Sequence, residues 1–350
     1  MQYLIIDGNN LAIRSAFGNK ELKNKDGVPT GVHFGVFQSL INLKGKYPHH
    51  QLLILWDSKS KRRQLEASVA VTAGLIKSGY KENRPRGEEA PQELRDFYAQ
   101  APYLQKGIGQ TGIPQIRIDG FEADDVGASY AKKLQGDNEI VFVTGDNDYF
   151  QLLSPNVSVY DGMKDKTTTL ASFQEEYKIT PEQFVHCGAL SGDTSDNIFG
   201  VPSVGEVTAL KLIQEHGSWQ KVLEALKAQL AEYRIKFPDL SGNPAEFERL
   251  KALATDSGKP KYPEILLSMP FTGVVQAIED KKLKVKIPKT TLMTVMFEER
   301  VKMAYSLKLM DSDIPALPEI KQGTLNKERL LEYFDYYDIE SLKESLYMLE

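Results

Sequence analysis

Four short apolar runs in the first half of the chain are each followed by an acidic residue, and this pattern restricts the fold more than any other feature. The runs are Tyr3–Ile6, Leu52–Trp56, Ile116–Ile118 and Ile140–Thr144, with Val157–Tyr160 as a weaker fifth. Most are continuous with little alternation, as expected of strands covered on both faces. Helix-like stretches separate them, at roughly Gly31–Lys46, Pro91–Gln105 and Ala123–Leu134. Strands alternating with helices build βαβ units and a mainly parallel α/β sheet. Ligands of such sheets bind outside the carboxyl ends of the strands. Asp7, Asp57, Gly120-Phe-Glu122 and Gly145-Asp146-Asn-Asp148 follow the four runs, so that one edge collects acids.

From about Thr180 the chain reads as helical. Thr180 is placed to cap a helix that starts with Pro181 and carries Glu182 in its first turn. Helices over Pro181–Leu190 and Glu206–Glu215 flank a loop, Gly192–Gly205. Beyond Leu230 the sequence is polar and broken by proline and glycine, a basic stretch covers Lys281–Lys289, and the last twenty or so residues read as a further helix.

With 350 residues, 41% hydrophobic and 26% charged, the chain is an ordinary globular protein rather than a disordered, collagen-like or coiled-coil one. No apolar run is long enough to span a bilayer, and the amino terminus has no basic, small-residue signal pattern. The single cysteine, Cys187, lies in an apolar helical stretch and excludes an internal disulfide and any cysteine-based zinc site. A reducing cytoplasm is the compartment this predicts. The net charge of −5 argues against a protein that simply coats nucleic acid.

Gly107–Gly112 spells G-x-G-x-x-G, but it follows a helix and leads into a strand, the reverse of a dinucleotide fingerprint. It reads as a helix C-cap and turn. Glu122, Asp124 and Asp125 open a helix directly after a strand, where acids are favoured as caps. Asp146 and Asp148 stand at the next strand end, and Asp193 and Asp196 in the inter-helix loop. With Asp7 and Asp57 these make nine carboxylates, and converging they would demand counter-cations. An oxygen-rich set without clustered histidine suits two Mg²⁺, with Mn²⁺ as substitute, and two such ions serve in-line phosphodiester displacement.

Cations are at hand. Lys59–Arg86 holds eight lysines and arginines, among them Arg62, Arg63, Lys81, Arg84 and Arg86, against two acids. The segment reads either as a solvated loop or as a cationic bridge that grips phosphates, with Tyr80 offering a face for base stacking. Gly200–Gly205, between two helices, is either a packing corner or a second phosphate-facing loop.

LIIDGNN, WDSKSKRR, YKENR, GFEADD, TGDNDYFQLL and GDTSDNIFGVPSVG occur in the order and approximate spacing of the flap endonuclease/5′-3′ exonuclease family, which the chain resembles over about Met1 to Leu226. The resemblance implies a PIN-like α/β catalytic domain over 1–178 with a helical arch at about 59–86. A helical DNA-binding region follows over 179–350, with a helix–turn–helix at about 181–226. It implies a first metal at Asp7, Asp57, Glu122, Asp124 and Asp125 and a second at Asp146, Asp148, Asp193 and Asp196. Lys81 and Arg84 match the cationic pair that steers the scissile phosphate, and Tyr80, Arg62, Arg63 and Arg86 fall in the arch. Gly200, Ser203 and Gly205 match the duplex-gripping corner, sometimes occupied by K⁺. Glu206 stands where the family often has lysine there, and Lys211 one turn on is its candidate replacement.

The implied protein is a monomeric, stand-alone, Mg²⁺-dependent 5′-nuclease, as in many bacteriophages, acting on DNA with a 5′ end or 5′ flap, or on an RNA/DNA hybrid. No membrane partner is implied. The rival readings are a PIN-like ribonuclease and a junction binder without turnover. A phosphatase of the HAD type is excluded, because Asn9 stands where its second aspartate is required.

Overall fold

The computed structural model describes residues 1–136, 138–202, 204–235, 294 and 297–349. The polar insert at about Leu230–Pro270 lies almost wholly outside the described residues, and the basic stretch Lys281–Lys289 and Ser203 lie outside them entirely. Two compact units are present, one formed by Met1–Gln64, Arg84–Pro181 and Met310–Glu350, the other by Leu65–Asn83 and Glu182–Leu309.

The first unit is built on a six-stranded sheet in the order β3-β2-β1-β4-β5-β6. Its strands are β1 (Gln2–Asp7), β2 (Gln51–Leu55), β3 (Gln115–Ile116), β4 (Glu139–Val143), β5 (Val157–Asp161) and β6 (Lys166–Thr168). The first five are parallel, and only the edge strand β6 runs antiparallel. The chain lays down β2 and β3 on one side of β1, then returns to place β4 and β5 on the other. The carboxyl ends of β1 and β4 therefore flank a topological switch point, the place where open α/β sheets form a ligand crevice.

Both faces are covered, which explains the continuous apolar runs. Leu4, Ile6, Leu52, Ile54, Val141 and Val143 pack into one core with residues of α1 (Gly8–Gly18), α2 (Gly31–Lys46) and α4 (Gln92–Gly109). On the other face, α5 (Ala123–Leu134) approaches closely enough that a Cβ on Gly127 would touch Phe142 and Tyr149. The helix α4 runs through Gly107 and ends in the turn that contains Gly112, so the G-x-G-x-x-G match is a helix end.

The sequence-based division differs from the fold at its carboxy-terminal end. Residues 310–350 belong to the α/β unit rather than to a helical region running to 350. They form α11 (Lys327–Tyr336) and a 3₁₀ segment (Glu340–Leu349) instead of one helix. Leu330 and Phe334 enter the sheet's core, and buried His33 stacks 3.7 Å from Tyr337. The strand expected at Ile116–Ile118 is shorter and earlier. The short helices α1 and α6 (Leu170–Tyr177) and the edge strand β6 carried too little periodicity to be read.

The second unit contains the end of α3 (Lys61–Thr72), α7 (Pro181–Ser191), a small antiparallel pair of β7 (Gly192–Asp193) and β8 (Ile198–Phe199), α8 (Glu206–His216), α9 (Trp219–Ile235) and α10 (Glu298–Lys308). Ala67, Ala70, Ile76, Tyr80, Ile198, Met303 and Leu307 share its core. Gly200 is the tightest point of that hairpin, since an added Cβ would lie 2.3 Å from the backbone of Ser191 and Gly192. The neighbour is main chain and cannot rotate away. Gly200→Ala is expected to destabilise the protein by about 1–3 kcal/mol, the usual cost of overpacking, as read from the urea midpoint.

Candidate functional site

Strand geometry delivers the first acids. Asp7 closes β1 and caps α1, accepting from the Asn10 amide at 2.9 Å and from the Thr144 hydroxyl at 3.3 Å. Asp57, just beyond β2, accepts from the Ala123 amide at 2.9 Å and so caps the first turn of α5. Asp146 follows β4 and accepts from the Asp148 amide at 2.8 Å. These acids lie within electrostatic reach of one another. Burial, then Asp57, and further Asp146 and Asp124 push the Asp7 carboxyl up to about 8, against a partial pull from the Asn10 amide. Tyr149, on the turn after β4, is pushed well above its ordinary value by burial and by Asp7, Asp124, Asp57 and Asp146.

Arg63 is the cation seated among the α5 acids, and this departs from its expected place on a DNA-facing arch. It is 1% exposed. Its Nη1 donates to Glu122 at 2.6 Å and to Asp124 at 3.1 Å, while Nη2 donates to the other Asp124 oxygen and to Asp125, both at 3.0 Å. An arginine so enclosed has no surface to offer a phosphate. The sequence placed it in a basic run, and only the first turn of α3 turned it inward.

Asp125 is likewise held by the protein itself. One oxygen accepts from Arg63 and from the Asp311 amide at 2.8 Å, and the other accepts from the Glu122 amide at 3.3 Å. Burial, then Asp124, raise its carboxyl to about 6 against the pull of Arg63. Its position is that of an anchor that ties α5 to the segment beginning at Met310. The role of Asp311 was invisible in the sequence, because its contribution is a backbone amide.

Asp193 and Asp196 belong to the second unit. Asp193 accepts from the Ser195 amide at 2.8 Å, from the Ser195 hydroxyl at 2.6 Å and from buried Lys308 at 2.8 Å. Burial alone would raise its carboxyl, but Lys308 and Ser195 hold it down to about 2. Asp196 accepts from the Tyr80 hydroxyl at 2.9 Å and lies 3.6 Å from the Lys81 ammonium. Lys81 has a left-handed backbone, φ 56°, and its amide donates to the Asp196 carbonyl at 2.9 Å. No local pattern around Asp193 points to Lys308 as its partner, 115 residues away.

The expected arch is therefore helix α3 followed by turns whose residues bind the loop before β8. Asn197 donates to Ser78 and Gly79, and Asn83 donates to the Thr194 carbonyl. Tyr80 is buried at 7% exposure, which removes the open stacking face expected of it. Arg62 is half-buried, while Arg84 and Arg86 are exposed. In the corner, Gly200 serves close backbone packing. Gly205 precedes α8 with open space around it, and Lys211 is exposed.

Among the described residues no three acids, histidines or cysteines stand in a ready-made ion cage. The chemistry of the donor set nonetheless fits a hard divalent cation. Asp7, Asp57, Asp124 and Asp146 are oxygen donors, and burial together with the charge of the other three drives Asp7 toward protonation. Among the described residues the buried Tyr149 hydroxyl finds no hydrogen-bond partner, and it lies in the field of the same four acids.

Residues 2–178 match the family described as 5′-3′ exonuclease, N-terminal resolvase-like domain, and residues 179–258 match 5′-3′ exonuclease, C-terminal SAM fold. The chain is 33% identical over 245 residues to a thermostable DNA polymerase I of Thermus thermophilus, covering 66% of this chain and 28% of the polymerase. It is 32% identical over 221 residues to a 5′-3′ exonuclease of Buchnera aphidicola, covering 63% of this chain and 72% of that protein. The chain thus spans little more than a quarter of the polymerase. Among solved structures, T5 5′-exonuclease with divalent metal ions (zinc) bound gives a TM-score of 0.52 at 22% identity, covering 88% of this chain and all of that one. The catalytic core of Rad2 in complex with DNA substrate gives 0.55 at 14% identity, covering 100% of this chain and 92% of that one. Both likenesses are of fold.

The raised carboxyl of Asp7 has a consequence for stability. Between the ordinary aspartate range and about 8, the folded metal-free chain holds a proton that the unfolded chain has released. Its contribution to stability therefore falls as pH rises from about 4 to about 8. In EDTA, the wild-type melting temperature is expected to drop more across this interval than that of Asp7→Asn, measured by differential scanning calorimetry. Equal slopes for the two proteins would show that Asp7 is ionised throughout.

Proposed function

The chain belongs to the 5′-3′ exonuclease family of nucleases, and from that premise we propose that it is a Mg²⁺-dependent, structure-specific 5′-nuclease acting on DNA with a 5′ end or 5′ flap. The single observation that carries the reading is that Asp57, Asp124 and Asp146 all lie within electrostatic reach of Asp7, with Asp7, Asp57 and Asp146 at the carboxyl ends of β1, β2 and β4. That arrangement suits divalent ions and the anionic phosphodiester they bridge.

In this reading Asp7, Asp57, Glu122, Asp124, Asp146 and Asp148 supply the oxygen donors, and Asp193 and Asp196 are further candidate donors. Asp125 supports them from behind. Two Mg²⁺, or Mn²⁺ in their place, would when held there supply an activated water and stabilise the leaving oxygen. Lys81 and Arg84 hold the phosphate and offset charge that develops on it. Gly205 and Lys211 at the start of α8 hold the duplex backbone, with K⁺ as a further ion at that corner. Recognition is of backbone and shape, since phosphate contacts position without specifying sequence.

The setting proposed is removal of flaps or RNA-containing primers during replication, by a cytoplasmic monomer of bacterial or bacteriophage type. Among the described residues no helix is long and apolar enough to cross a membrane.

A denaturing gel with a 5′-labelled flap duplex and a 3′-flap control tests the proposal directly. Mg²⁺ should release the 5′ flap near its junction, while EDTA or Asp148→Asn should abolish cutting and leave binding intact. Binding without cutting in Mg²⁺ or Mn²⁺ would make the chain a junction-binding protein, and cleavage confined to single-stranded RNA would make it a PIN-like ribonuclease. Lys81→Ala should lower single-turnover cleavage by roughly 10²-fold with little change in affinity. A fall in affinity alone would reduce Lys81 to a phosphate clamp.

A further inference from the structure

Arg63 is enclosed by acids that the proposed reaction needs for metal, and its geometry says what it does there. It is 1% exposed and reaches Glu122, Asp124 and Asp125 at 2.6 to 3.1 Å. Asp124 is gripped in a fork, with each of its oxygens accepting from a different guanidinium nitrogen. Such a bidentate pair is the strongest hold a protein cation has on a carboxylate. Glu122 and Asp125 are buried and Asp124 is half-buried beside them, and this cation offsets the repulsion among the three. The arginine also lies in the first turn of α3, where its amide is fixed by the Ser60 hydroxyl at 3.2 Å. Its seat is thus set by the helix start and is not an accident of a mobile side chain.

We propose that Arg63 is the resting counter-cation of this acid cluster, occupying Glu122 and Asp124 until a divalent ion takes them. Arginine and ion are then alternative partners for the same oxygens. A full positive charge within about 4 Å of a dication is repelled strongly at a partly buried site, so metal binding and loosening of the arginine's grip are linked. Arg63 acts on the reaction only through the acids it holds, which makes it a positioning residue. The inference rests on the reading of Glu122 and Asp124 as metal ligands, and the test below separates the two.

Mn²⁺ binding is measured by electron paramagnetic resonance of free Mn²⁺, together with melting temperature in EDTA and in excess Mg²⁺, for wild type, Arg63→Gln and Arg63→Lys. Arg63→Gln is expected to melt below wild type in EDTA and to recover most of the difference in Mg²⁺. Its first Mn²⁺ should bind about tenfold tighter, because one competing charge has gone. Arg63→Lys should fall between the two in both measurements, and it keeps the test open should Arg63→Gln fail to fold. An equal loss of melting temperature with and without Mg²⁺ would overturn the proposal and leave Arg63 a purely structural residue. Weaker Mn²⁺ binding in Arg63→Gln would also overturn it, by showing that the arginine orients the ligands and stays with the ion. Wild type that binds no Mn²⁺ would instead overturn the metal assignment on which the inference stands.

Discussion

Carboxylates crowded at the carboxyl edge of a parallel sheet repel one another, and much of this structure is arranged to make that crowding tolerable. The parallel order β3-β2-β1-β4-β5 sends each strand's following residue to the same edge. Burial there denies the acids the water that would screen them. The chain answers in three ways. Backbone amides at helix starts donate to the carboxylates of Asp7 and Asp57. A protein cation, Arg63, takes Glu122, Asp124 and Asp125. What is left uncompensated raises Asp7 toward protonation, and that residue of repulsion is where a divalent cation gains most.

The second unit solves a related problem with backbone geometry. The β7–β8 pair folds the loop after α7 back on itself, and glycine at 200 is required by the approach of one main chain to another. Asp193 sits at the head of that hairpin, where Ser195 amide and hydroxyl and the Lys308 ammonium converge on its side chain. The turns after α3 are tied to the same loop through Asn197 and Asn83, which places Lys81 beside Asp196. A left-handed lysine at 81 is the backbone cost of bringing that ammonium round.

Arg63 and Tyr80 show why basic and aromatic residues in one run need not share a role. In sequence they belong to the same cationic stretch as Arg84 and Arg86. In the fold, helix α3 buries Arg63 among acids and the following turns bury Tyr80 in an apolar core, while Arg84 and Arg86 stay at the surface. Helical phase decides the first and contact with distant residues the second. Neither is written in local composition.

The amino-acid sequence by itself determined the α/β class, the parallel sheet, the edge at which acids collect, the α5 boundaries and the helical character of the region from Pro181. Each of these follows from local periodicity, from strand ends and from capping, which act over a few residues. Six short motifs in order also made the family legible before any coordinate was known. Only the tertiary structure decided which cation meets which acid, because Arg63 and Asp124 are 61 residues apart, and Asp193 and Lys308 are 115 apart. It also decided that the carboxy-terminal helix belongs to the sheet's core, since Phe334 is buried against Phe37 across nearly the whole chain. Pairings of this kind are set by packing and charge between distant segments, and no local pattern encodes them.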